Sequence, residues 1–115
     1  MLTPLEKGVL DVLLDSPEEP YISIRQQMDY ALVTSREFTG VGFFTRFTLP
    51  ADAPVRRDLP NANFTHVGAD IAGLKHGAGF VLFIRDGVVS TLEGFTYVEA
   101  WPQTTDEFRV YRLQK

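Results

Sequence analysis

Residues 77–102, GAGFVLFIRDGVVSTLEGFTYVEAWP, decide how the rest of the chain is read. Two apolar runs flank Asp86-Gly87, a pair whose readiness for positive φ suits a two-residue hairpin turn. Counting outward from that turn pairs Arg85 with Val88, Ile84 with Val89, Phe83 with Ser90, Leu82 with Thr91, Val81 with Leu92, Phe80 with Glu93 and Gly79 with Gly94. One surface then holds Phe80, Leu82, Ile84, Val89, Thr91, Glu93 and Phe95. The other holds Val81, Phe83, Arg85, Val88, Ser90 and Leu92, with the two glycines. Both are largely apolar, which is the pattern of a hairpin in the middle of a sheet rather than at a wet edge.

Three consequences follow from that register. Glu93 falls among apolar residues, where a carboxylate either reaches solvent or an arginine near the sheet end, or sits buried with a partner or a raised pKa. Gly79 and Gly94 face each other and leave a bare patch where backbone or a small ligand could approach. The second apolar face needs a cover, supplied by sheet curvature, by the loop at 50–63 or by another subunit. A homodimer is expected on that last ground.

Upstream, Leu32–Thr39 and Val41–Leu49 alternate with period two and read as strands around Gly40 and Gly42. Val41, Phe43, Thr45, Phe47 and Leu49 share the buried face, while Phe44, Arg46 and Thr48 lie on the other. Phe64–Ala72 reads as a further strand. Between them Pro50–Asn63, PADAPVRRDLPNAN, is a loop of about fourteen residues, long enough to be functional or simply a surface excursion. Its Arg56-Arg57 pair is able to meet a carboxylate or phosphate.

The N-terminal third is helical. Thr3, Pro4 and Glu6 form a capping box with proline at the first helical position, and Leu5, Val9, Val12 and Leu13 follow at helical spacing up to Ser16-Pro17. A second helix is predicted over about Glu19–Tyr30, with Tyr21, Ile24 and Met28 on its core face and an Arg25–Asp29 pair opposite. Residues 104–113 offer both a capping box and the alternating run Phe108–Leu113; the alternation is taken as a final strand. The expected architecture is therefore α+β. Two N-terminal helices pack on a curved, mainly antiparallel sheet of five or six strands, in a single domain over residues 1–115.

Composition narrows the function classes. A length of 115 residues suits one domain with a real core. The net charge of −4, with no basic stripe beyond Arg56-Arg57, argues against nucleic acid and against anionic membrane surfaces. No apolar run approaches the ~20 residues of a membrane span. The absence of cysteine excludes disulfides and thiolate chemistry, and the acid-interrupted N-terminus lacks the basic start of a signal peptide. The cytoplasm is the expected compartment.

Chemistry is sparse. His66, Asp70 and His76 are the only candidates for a metal site, but a regular strand puts the Cα atoms of His66 and Asp70 about 13 Å apart. No metal and no cofactor is expected. No nucleophile elbow, phosphate loop or dinucleotide fingerprint is present. The aromatic exit Phe95, Tyr97 and Trp101, with Glu99 between, reads either as the closed end of the core or as an interaction patch. Glu93, Tyr97, Glu99 and Trp101 are thus the candidate binding residues, and no catalytic residue is assigned.

SREFTGVGFFTRFTLP at 35–50, with the opening stretch, resembles a group of small uncharacterised bacterial proteins. In that group a Gly-Phe-Phe-Thr strand precedes Leu-Glu-Gly-Phe/Tyr-Thr-Tyr and Trp-Pro. Phe43, Phe44, Thr45, Leu92, Glu93, Gly94, Phe95, Thr96, Tyr97, Trp101 and Pro102 carry the likeness, over about a third of the chain. Some similar small acidic proteins look like immunity partners of contact-delivered toxins, which is what the resemblance implies about partners; it brings no catalytic residues. The expected function is a non-enzymatic binding module acting through a protein partner. The alternatives are a small-ligand domain using the space at Gly79 and Gly94, or a hydrolase-type enzyme using His66, Asp70, His76 or Glu93.

Overall fold

A computed structural model describes residues 1–113, with helices α1 (Pro4–Leu13) and α2 (Tyr21–Met28) preceding the sheet. The strands are β1 (Leu32–Phe38), β2 (Gly42–Thr48), β3 (Ala62–Phe64), β4 (Val67–Ile71), β5 (Ala78–Arg85), β6 (Val88–Thr96) and β7 (Phe108–Arg112). They form one antiparallel sheet in the order β1-β2-β6-β5-β4-β7, with β3 also paired to β5. The hairpin of the opening stretch is its centre. Seven strands stand where five or six were expected, because the run Phe64–Ala72 breaks at Thr65-His66. Phe64 ends β3, which begins at Ala62 and pairs with Leu82–Ile84 of β5, while β4 pairs with Ala78 and Gly79.

α1 keeps its full capping box, Thr3 Oγ1 accepting from the Glu6 N–H and the Glu6 carboxylate accepting from the Thr3 N–H. It lies across β4 and β7, and α2 lies across β6, so both helices cover the same face. On that inner face Leu5, Val9, Leu13 and Ile24 pack with Phe80, Leu82, Ile84, Val89 and Leu92, all of them buried. Burial of each such side chain contributes about 1.5–3 kcal/mol.

α2 departs from its sequence reading at both ends. It spans Tyr21–Met28 rather than Glu19–Tyr30, and Ser16 Oγ meets the Glu18 N–H instead of forming a second capping box. The Glu19 carboxylate does the capping, accepting from the Ser23 N–H and hydroxyl. Arg25 does not pair with Asp29; its guanidinium donates to the carbonyls of Leu14 and Ser16 and ties the helix to the end of α1. The core face of Tyr21, Ile24 and Met28 is as expected.

The turn is also as expected, with φ of 55° at Asp86 and 77° at Gly87. The register beyond it is not. Arg85 pairs with Val88 and Ile84 with Val89, but Phe83 then pairs with Thr91, Leu82 with Leu92, Val81 with Glu93, Phe80 with Gly94 and Gly79 with Phe95. Ser90 is an extra residue in β6, a β-bulge. The physical reason is packing. Without the bulge Leu92 would point away from the core, and with it Leu92 sits buried opposite Leu82.

The Pro50–Asn63 loop does not cover the second face of the sheet. It folds against the hairpin turn and α2. Arg57 donates to the Asp86 carbonyl, Asn61 accepts from the Asp86 N–H, and Arg56 reaches Asp58, Glu19 and Ser23. The Arg56 guanidinium holds the Asp58 carboxyl down at about 2. Its charge is thus already engaged.

Candidate functional site

The bulge moves Glu93 onto the outer face, opposite Val81 on one side and Phe44 on the other. Glu93 is therefore half-buried on an uncovered surface and not a carboxylate lost in the core. Strand pairing lays that surface out in transverse rows. One row runs Tyr111, Gly68, Gly79, Phe95, Gly42; the next holds Val81, Glu93, Phe44 and Glu37; a third holds Asn63, Phe83, Thr91 and Arg46.

The glycines make no gap. A Cβ on Gly79 would sit 2.5 Å from the ring of Phe95, and one on Gly94 would sit 2.3 Å from the ring of Phe43. Gly79 and Gly94 do not face each other, and each is roofed by an aromatic ring, Phe95 outside and Phe43 inside. The space expected for a small ligand there is filled by side chains.

Tyr97, Glu99 and Trp101 serve the sheet's end. Trp101 packs edge-on against Phe43 with centroids 5.2 Å apart, and its backbone N–H donates to the Gly40 carbonyl. The Glu99 carboxylate accepts from the N–H groups of Lys75 and His76 in the β4–β5 turn, and those two bonds draw its pKa below the usual value. Tyr97 lies edge-on to Phe95 at 5.5 Å and remains 55% exposed. Of the four candidates, Glu93 and Tyr97 lie toward the outer face, while Glu99 and Trp101 hold loops in place.

The residues considered for catalysis are scattered. His66 Nε2 lies 3.2 Å from the Leu13 carbonyl, on the helix side, its ring edge-on to Tyr21. Asp70 is bound to Arg109 at 2.7 Å in an exposed pair. His76 is exposed in the β4–β5 turn and Glu93 stands on the outer face. No cluster of three or more His, Asp or Glu side chains suited to a metal occurs among the described residues. Among the described residues no helix is long and apolar enough to cross a membrane.

What the outer face does offer is a shallow depression of about 290 Å³ lined by Phe44, Arg46, Phe83, Arg85, Ser90 and Thr91. Arg46 lies over the Phe44 ring at 5.7 Å and Arg85 over the Phe83 ring at 5.2 Å. A third pair, Arg109 over Tyr111, stands further along the same face. The bulge sets two consecutive hydroxyls side by side here, Ser90 Oγ 3.1 Å from Thr91 Oγ1. Sequence reading missed this site because an unbulged hairpin turns Thr91 inward. The one signal was the spacing of Val89 and Leu92: three apart, they share a face only if a residue between them is extra.

Family models, curated proteins and solved structures were all compared with the chain, and none matches.

Proposed function

We propose that this chain is a non-enzymatic binding module acting through a protein partner, and that the partner takes the outer face of the sheet. The observation that carries the reading is the composition of that face. Phe44, Val81, Phe83, Phe95 and Tyr111 stand there only half-buried, and both helices lie on the opposite side. Aromatic and arginine side chains on one surface are the residues that dominate protein-interface energetics. The same composition suits a second copy of the chain, the occupant that a homodimer would supply.

A photo-crosslinking residue at Tyr97, beside the outer face, tests this in the source cells against one at Lys7 on the exposed side of α1. Crosslinks to a discrete protein from position 97 and none from position 7 are expected. Crosslinks from position 7 alone, or from neither, overturn the reading. Light scattering over a concentration series separates a second copy from a different protein.

A further inference from the structure

From the rows of the outer face we infer that its occupant is a second copy of this chain, docked face to face about a two-fold axis. The axis lies in the plane between the two faces and crosses the strands between the row of Glu93 and the row of Thr91. This rests on the outer-face reading above and adds to it who the partner is and how it sits.

Charge and area favour a copy. The outer face carries Arg46, Arg85 and Arg109 against Glu37, Glu93 and Asp70, so it is neutral in a chain of −4. The whole excess of negative charge therefore lies on the remaining surface. Two copies repel each other everywhere but here, and a face that holds both signs can complement itself. Six strands about 4.8 Å apart, each about six residues of 3.3 Å rise, span roughly 550 Å². Two such faces bury about the 1,000 Å² that a specific interface needs, so one copy suffices to cover the other.

Glu93 fixes the axis. It is half-buried and has no hydrogen bond or ion pair among the described residues. In a two-fold dimer, a residue that meets another is met by it in return. An axis along β6, or one through the row of Glu93, lays that carboxylate on its own copy, and like charges directly opposed repel. An axis one row toward Phe95 lays it on an aromatic ring. An axis between the rows of Glu93 and Thr91 lays each strand antiparallel over its own copy, with the two sheets about 10 Å apart. Thr91 then faces the partner's Glu93, Phe83 faces the partner's Val81, and Arg46 faces the partner's Phe44. These contacts are a hydroxyl donating to a carboxylate, an apolar pair and a guanidinium over a ring. The bulge adds Ser90 Oγ, 3.1 Å from Thr91 Oγ1, as a second hydroxyl beside the first.

The test is sedimentation equilibrium of the full chain and of two variants. The parent chain is expected to form a dimer that dissociates on dilution. Thr91→Glu sets carboxylate against carboxylate at two symmetric contacts and should raise the dissociation constant about tenfold. Glu93→Lys gives up both hydroxyl–carboxylate contacts, brings an ammonium near Arg46 and should raise it by about as much. An equimolar mixture of the two variants should dimerise again, because the new lysine of one chain meets the new glutamate of the other. That recovery also guards against loss of fold, since misfolded chains would not restore each other. A monomer at every concentration up to about 1 mM overturns the inference. So do variants that dimerise as well as the parent, or a mixture that recovers nothing. If the mixture fails while position 97 crosslinks to a different protein, only the second copy is wrong. If the mixture recovers and position 97 gives nothing in cells, the dimer stands and the cellular-partner reading falls.

Discussion

The two faces of the central hairpin are built from nearly the same residue types and end up as different materials. Phe80, Leu82, Ile84, Val89 and Leu92 on the inner face are at most 1% exposed. Val81, Phe83, Val88 and Phe95 on the outer face remain half-open, with Arg85 laid across the Phe83 ring. Hydrophobicity along the strands does not distinguish the two. The difference lies in what approaches each face, and the inner one is sealed by polar anchors as much as by apolar contact.

Two such anchors sit in the helices. Glu6 accepts from Arg36 through two N–H groups at 3.0 and 2.7 Å, from the Thr45 hydroxyl and from the Thr3 N–H. Burial pushes the Glu6 carboxyl up, but the bonds from Arg36, Thr45 and Thr3 outweigh it and the net shift is downward. Gln27, fully buried, donates to the Gly87 carbonyl at 2.7 Å and accepts from the Val89 N–H at 2.9 Å, so a helix side chain completes the backbone bonding of the turn.

The largest break in the comparison should come from Glu6→Leu. It strands Arg36 and Thr45, and removing one partner of a buried ion pair costs about 3–5 kcal/mol, measurable by urea unfolding. Restoring balance with Glu6→Leu, Arg36→Leu together should recover part of the loss. Gln27→Leu comes next. It leaves a buried donor and a buried acceptor unmet, at about 1–3 kcal/mol each, and should speed hydrogen exchange at Val89.

The two roofed glycines then sharpen the contrast. Gly94→Ala must displace Phe43, which is wedged between Phe80 and Trp101, and should cost about 1–3 kcal/mol. Gly79→Ala presses on Phe95, whose ring borders solvent and can swing out, so its cost should be smaller. Equal losses would mean that the outer face is as tightly packed as the inner. Phe83→Ser should cost only about 1 kcal/mol, since its ring is half-buried, while abolishing crosslinking from position 97.

Acid tests the anchors together. Glu6, Glu19, Asp58 and Glu99 all have lowered pKa values in the folded chain, each by bonds to its charged form. Their contribution is complete above the unfolded carboxylate range, near 4.5 for glutamate, and is lost as pH falls through the folded values. Stability should therefore drop below about pH 4.5, and Glu6→Gln should flatten that drop.

Much of this was legible beforehand. The Thr3-Pro4-Glu6 start, the Asp86-Gly87 turn and the period-two runs each state a local preference that the structure keeps. The bulge was not legible, since alternation counted from the turn assumes an unbroken register, and one extra residue reverses every face beyond it. Glu6 and Gln27 were hidden for another reason. A capping box already accounted for the glutamate, and glutamine on a short helix looks like a solvated side. Their partners lie 30 to 62 residues away, where no local pattern reaches.

That distance has a consequence in time. A chain leaves the ribosome at about 5–20 residues per second, so Gly87, 60 residues after Gln27, follows it by roughly 3–12 s. An isolated helix of 8 residues is marginal in water. During synthesis α2 therefore waits unfolded, with Ile24 and Met28 bare, until the hairpin turn appears and Gln27 can close on it.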